Sequence, residues 1–156
     1  MLSTNVRNDI LNALYGRQKD TGGLIPTSGS CYLGFSTAAP TISSAGECTA
    51  FAEPAASTGY VRLELRNSEL TDAAAVMPAA VGGEIKNSTA NLTFDAPNDG
   101  QIYGKATHIG LFAAKTGGLP IMVIPLTAEV TLGLKATLVL EKNKLTTALT
   151  AADATV

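Results

Sequence analysis

Tryptophan is absent from this 156-residue chain, and aromatic residues make up only 5% of it. Carbohydrate sites lean on aromatic faces that present a large apolar body with a polar handle. Their scarcity argues against direct glycan binding. Tyr15, Tyr32, Tyr60 and Tyr103 remain, and each reads first as a sheet or interface residue. Histidine occurs once, as His108. A single histidine cannot supply the HExxH of a zinc peptidase. It also leaves one base for any Ser or Cys nucleophile, and there is no GxSxG to present one. The two cysteines, Cys31 and Cys48, show no CxxC spacing and have no second pair with which to build a zinc site. They read as reduced thiols used as small apolar residues; an oxidising compartment would be the condition for pairing.

Charge is scarce as well. Charged residues are 15% of the chain, against about 25% in ordinary soluble domains. The net charge is −2 and the pI about 5.3, which removes the basic footprint of a nucleic-acid binder. No basic run points to an anionic membrane, and no stretch approaches the roughly 18 apolar residues of a membrane span. The opening "MLSTNVRNDILNAL" lacks the basic region and continuous apolar run of a secretory signal, so the expectation is synthesis in the cytoplasm.

What the chain does contain is aliphatic and small. Hydrophobic residues are 46% and mean hydropathy is +0.20. Where most domains cover their surface with Lys, Glu, Asp and Arg, this one has Ala, Thr, Ser, Asn and Gly. Such a surface suits burial between subunits, and a stable homo-oligomer is expected; the alternative is a monomer with a neutral, Thr-rich surface.

No chemistry emerges from the remaining motifs. The pairs Gly22-Gly23, Gly82-Gly83 and Gly117-Gly118 lead into strands or irregular chain, not into the helix that a phosphate loop needs. "DAPNDG" puts Asp95, Asp99 and Gly100 at positions one, five and six of a calcium loop. Pro97 at three and Ala106 at twelve exclude an EF-hand. Glu47, Glu53, Glu64, Glu69 and Glu84 offer carboxylates, but no spacing singles out a glycosidase pair. No catalytic residue, metal ligand or cofactor is assigned.

The pattern of apolar residues predicts a mainly β fold. An amphipathic helix is expected over residues 3–15, with Leu2, Val6, Ile10 and Leu14 as its stripe. Ser3 or Thr4 would be its cap and Gly16 its stop. The stripe is a candidate oligomer or docking face, with packing on the chain's own sheet as the alternative. Asn5, Asn8, Asp9 and Asn12 form the opposite face.

From residue 30 the code changes to short strands separated by turns. "CYLGFST" and "YGKATHIGLFAA" are strands. "GYVRLELR" alternates, with Val61, Leu63 and Leu65 expected inside and Tyr60, Arg62, Glu64 and Arg66 outside. Residues 67–87 read as a long connection. Leu92–Phe94 is a short strand, followed by a "PNDG" turn. Pro120 and Pro125 place "LPIMVIPL" at a sheet edge or beside a bulge. "EVTLGLKATLVLEKN" is expected to give two strands broken near Gly133. The prediction is an antiparallel β-sandwich of about six to eight strands over 30–145 with one N-terminal helix, a weakly ordered tail at 146–156, and one domain over 1–156. Within it, Thr107, His108, Ile109, Leu111 and Phe112 are the candidate core of a central strand covered on both faces. Gly104 and Gly110 signal a close backbone approach or a bulge. His108 has no partner visible in the sequence for catalysis or metal binding.

The order of motifs resembles a family of small bacteriophage virion proteins described as tail-fibre-like. The resemblance rests on Tyr32, Leu33, Ser36, Thr37 and Pro40; on Glu53, Pro54, Gly59, Tyr60 and Arg62; and on Ile85, Asn87 and Phe94. It continues through Tyr103, Gly104, Thr107, His108, Gly110, Leu111, Phe112, Gly117 and Gly118. It covers roughly residues 3–126. Tyr103 stands where tryptophan is common in the family, and the stretch between Leu65 and Glu84 matches poorly.

The resemblance implies a structural virion protein, made in the host cytoplasm. It would act as a tail-fibre, fibre-adaptor or tail-tip subunit through self-association, with a trimer favoured, and through docking to other virion proteins. Contact with a host surface receptor stays open. The alternatives are a capsid decoration or head-fibre protein, and a carbohydrate-binding module at the tail end. Neither nucleic acid nor membrane is an expected partner.

Overall fold

The computed structural model describes residues 3–14, 31–65, 77, 80–87 and 89–148. It is mainly β, with antiparallel sheets and one N-terminal helix. The contacts group the chain into two compact units. One comprises Met1–Ser30, Leu65–Leu92 and Leu140–Val156; the other comprises Cys31–Glu64 and Thr93–Val139.

The second unit is organised by a four-stranded sheet. Its strands are β1 (Cys31–Ser36), β4 (Leu63–Leu65), β7 (Gly104–Phe112) and β8 (Met122–Leu132), in the order β4-β1-β7-β8. β7 is therefore interior, and all but three of its nine residues are buried. β1 and β7 pair Tyr32 with Phe112, Gly34 with Gly110 and Ser36 with His108. Leu33, Phe35, Ile109 and Leu111 fill one face, each fully buried aliphatic or aromatic side chain contributing about 1.5–3 kcal/mol. Phe94, from β6 (Leu92–Phe94), meets the Phe35 ring edge-on at 5.2 Å, so a second layer faces the sheet in the manner of a sandwich. β6 pairs with β9 (Leu138–Leu140). A hairpin of β2 (Thr41–Ile42) and β3 (Cys48–Ala50) completes the unit.

β8 shows what the prolines do. It lies at the sheet edge, and its register against β7 slips between Ala106↔Val130 and His108↔Pro125. That is a bulge beside a proline that cannot donate to the ladder. The chain nevertheless continues as one strand to Leu132. The two separate strands expected on either side of residue 126 are a single one, because the pairing with Gly104–Ala106 resumes after the bulge.

In the first unit, α1 (Thr4–Leu14) is capped by Ser3, whose carbonyl accepts from the Arg7 N–H at 3.0 Å while its Oγ accepts from the Val6 N–H at 3.4 Å. β5 (Glu84–Lys86) pairs with β10 (Thr146–Ala148). Residues 146–148, expected in a weak tail, are thus a strand, tied in by the ladder to β5. The long connection expected over 67–87 likewise contains β5; the Ala-rich part before it lies outside the described residues. Ten strands are present among the described residues. The surplus over the expected six to eight comes from two- and three-residue pieces too short to show a period.

Candidate functional site

Glu53, Tyr60, Arg62, Phe112 and Gly117 of the motif pattern come together in the second unit around one ion pair. Arg62 is buried. Its Nε donates to Glu53 Oε1 at 2.8 Å and its Nη2 to Glu53 Oε2 at 2.7 Å, the bidentate fork that guanidinium and carboxylate geometry favour. Nη1 donates to the carbonyls of Ala114 at 2.7 Å and Gly117 at 2.8 Å. The guanidinium carbon also sits 3.4 Å from the centroid of the Phe112 ring, a cation–π contact. Arg62 thereby ties the loop after β3 to the turn between β7 and β8.

Tyr60 extends this network. Its hydroxyl donates to Glu53 Oε1 at 3.0 Å and accepts from the Phe35 N–H at 3.0 Å. Burial, followed by the nearby Glu53 carboxylate, pushes its phenol well above the ordinary tyrosine range. Phe35, Tyr60, Phe94 and Tyr103 form a cluster of mostly edge-to-face rings.

The sheet makes room for Glu53, the Tyr60 hydroxyl and the Phe51–Phe112 ring pair with two glycines. A Cβ at Gly34 would lie 2.7 Å from both Glu53 Oε1 and Tyr60 Oη; one at Gly110 would lie 2.8 Å from Phe112 and Phe51 ring atoms. These positions are opposite each other in the register, so together they form a saddle on which the Glu53–Arg62–Tyr60 group and the rings rest.

The strand alternation expected over 60–66 holds at Glu64 (exposed) and Leu65 (buried) but fails at Val61 and Arg62; Arg66 lies outside the described residues. Arg62 points inward and Val61 is exposed, since only Leu63–Leu65 is strand and Glu53 with two loop carbonyls satisfies the guanidinium. The clue lay in the composition. In a chain so poor in charge, a Glu and an Arg nine residues apart within one motif are worth pairing.

His108 lies half-buried in β7 between Thr107 and Ile109. Thr107, Ile109, Leu111 and Phe112 are buried. The Thr107 hydroxyl donates its single proton to the carbonyls of Ala38 (2.9 Å) and Ser36 (3.2 Å). The contact of 2.9 Å between His108 Nδ1 and Thr107 Oγ1 therefore fits Nδ1–H as the donor; in that neutral tautomer Nε2 is left as an acceptor. Cys31 and Cys48 are both free; burial pushes the Cys31 thiol up to about 11, which keeps it from acting as a thiolate. Among the described residues no group of three His, Cys, Asp or Glu side chains gathers as a metal site. Asp99 and Gly100 form an exposed turn closed by the Gln101 N–H to the Asn98 carbonyl at 2.9 Å, with Gly100 at φ 77°.

A second polar cluster belongs to the first unit. Asn87 is fully buried. Its Nδ2 donates to the carbonyls of Ala90 (3.1 Å) and Glu141 (2.9 Å), and its Oδ1 accepts from the Leu145 N–H at 3.0 Å. Its own backbone bonds Leu145 and Asn143. One amide side chain thus holds the turn after β5 against the chain that leads into β10.

The helix stripe takes an unexpected place. α1 is seated by Leu11, which is fully buried, and by Asn8 and Asn12. The Asn8 and Asn12 carbonyl oxygens accept from the N–H groups of Gly83 (2.7 Å) and Ala80 (2.8 Å). The asparagines expected on the solvent side are therefore part of the seat. They satisfy turn amides that no apolar side chain could. Val6 is 42% exposed, Ile10 and Leu14 are half-buried, and Leu2 lies outside the described residues.

The two clusters belong to a β-rich protein whose most distinctive polar side chains hold loops and turns. The model of the family described as Podophage GP4 fiber I protein gp80 matches residues 1–148, and the chain belongs to this family of phage fibre proteins. No curated protein matches it.

Proposed function

We propose that this chain is a non-enzymatic subunit of the phage tail: a tail-fibre, fibre-adaptor or tail-tip protein that works by symmetric self-association, as a trimer, and by docking to other virion proteins. The observation that carries the reading is the family match over 1–148, joined to the full commitment of Glu53, Tyr60 and Arg62 to structural bonds. A catalytic carboxylate or phenol needs an open coordination position for substrate, and these are closed by their neighbours. Membership in a fibre family favours the tail reading over capsid decoration. The low charge favours burial between subunits.

The apolar stripe of α1, with Leu2, Val6, Ile10 and Leu14, is the docking or trimerising face. Of these, Val6, Ile10 and Leu14 lie on a different side of α1 from the Asn8, Leu11 and Asn12 seat. The Thr107–Phe112 segment is the central core that carries the fold. Antibody labelling of the assembled particle tests location. Label on the tail supports the proposal, and label spread over the head contradicts it. Mass in solution after removal of residues 1–16 tests the helix; an unchanged oligomer would sink that assignment.

A further inference from the structure

A groove of about 800 Å³ opens within the second unit, where the β2–β3 hairpin approaches the start of β8. Ile42, Ile121, Met122 and Val123 give it apolar walls, and Glu47 and His108 line it as well. Ile42 and Ile121 are each about half exposed. Besides the Cys48 thiol, which bonds the Ala50 carbonyl, the polar side chains that reach it are Glu47 and His108. Glu47 makes no side-chain hydrogen bond or ion pair among the described residues, and His108 offers Nε2 once Nδ1 is committed to Thr107. Among the described residues no lysine or arginine lines the groove. Its complement is a segment that brings an apolar side chain and a cation side by side.

This chain carries such a segment at the opposite end of the same strand. After β8 the chain turns through Gly133–Ala136, closed by the Ala136 N–H to the Gly133 carbonyl at 3.2 Å. Leu134, at the tip, is 65% exposed. Lys135, beside it, holds φ 57° at the turn position where Gly or Asn is the usual residue. Its side chain is 81% exposed and meets only Asp99, at 3.9 Å. Turn chemistry alone would place neither a bare leucine nor a left-handed lysine here. Both residues fit a tip that is covered on assembly.

We propose that the Leu134–Lys135 tip of one copy docks in the β2–β3/β8 groove of the next. Leu134 lies between Ile42 and Ile121, and Lys135 faces Glu47. Tip and groove are different patches at the two ends of β8, so the contact is heterologous and closes a ring of copies or extends a filament. This rests on the self-association proposed above.

The test uses the full-length chain in sedimentation equilibrium, with Glu47→Lys, Lys135→Glu, the double variant and Leu134→Asp. All three substitutions sit at exposed positions, and thermal unfolding checks that each of the four variants folds. Each single variant is expected to weaken self-association at least tenfold, and the double charge reversal to recover most of the loss, as complementary charge pairs do. Wild-type oligomer with unchanged affinity in Glu47→Lys and Leu134→Asp overturns the tip-in-groove contact while leaving self-association standing. A wild-type chain that stays monomeric at all concentrations overturns both.

Discussion

The two buried polar clusters solve one problem by different means. In the second unit the Arg62 guanidinium is taken out of water and compensated by a bidentate contact to the half-buried Glu53, two loop carbonyls and an aromatic face. In the first unit a neutral amide, Asn87, does a similar task with backbone partners only. An ion pair costs several kcal/mol per ion to desolvate, so it tolerates no loss of a partner. An amide costs less to bury and less to disturb. The charged cluster is also the one set into a glycine saddle and packed by rings. The difference teaches that the motif residues divide by energetic stake.

The largest expected effect comes from leaving one ion buried alone. Arg62→Ala should cost about 3–5 kcal/mol and lower Tm by roughly 10 °C. Arg62→Lys should rescue little of it, because an ammonium cannot span both carboxylate oxygens and the two carbonyls. Asn87→Ala should be milder, about 2–3 kcal/mol, from three lost bonds at ~1 kcal/mol net each; denaturant unfolding checks both. A loss at Asn87 equal to that at Arg62 would erase the distinction drawn here.

The clusters should also separate in alkali. Folding raises the Cys31 pKa from 9.0 to about 11 and raises that of Tyr60 from its ordinary 10.0. A raised folded-state pKa gives stability that is whole below the unfolded value and lost as pH climbs through the folded one. Stability should therefore decline from about pH 9 upward. Cys31→Ala should flatten the first part of that decline and Tyr60→Phe the part above pH 10. Asn87→Ala should leave its slope unchanged, since that side chain does not titrate. Smallest of all, His108→Gln should change stability by less than about 1 kcal/mol and leave assembly intact near neutral pH.

Much of the fold was legible in the sequence. Leu92–Phe94, the β7 run and the edge position with a bulge around Pro125 follow directly from period, turn residues and proline chemistry. What escaped was non-local. β2, β3, β5 and β10 are two or three residues long and exist only through their partners. Arg62 was misplaced because alternation assumes a strand, and the chain there is a loop whose geometry is set by Glu53. The Asn8 and Asn12 seat was misread because asparagine looks solvated until a turn amide needs an acceptor. The motif order pointed to the right family, yet only the structure explains why Gly34, Gly110, Glu53, Tyr60 and Arg62 belong to one group.

The central claim is that this group is structural. A double-mutant cycle on Glu53→Gln and Arg62→Met, read by equilibrium unfolding, tests it most directly. The account predicts that each single change costs about 3–5 kcal/mol while the double costs no more than either, because removing both leaves no buried charge uncompensated. Single variants as stable as the wild type would contradict it and return Glu53 and Arg62 to the search for a binding site.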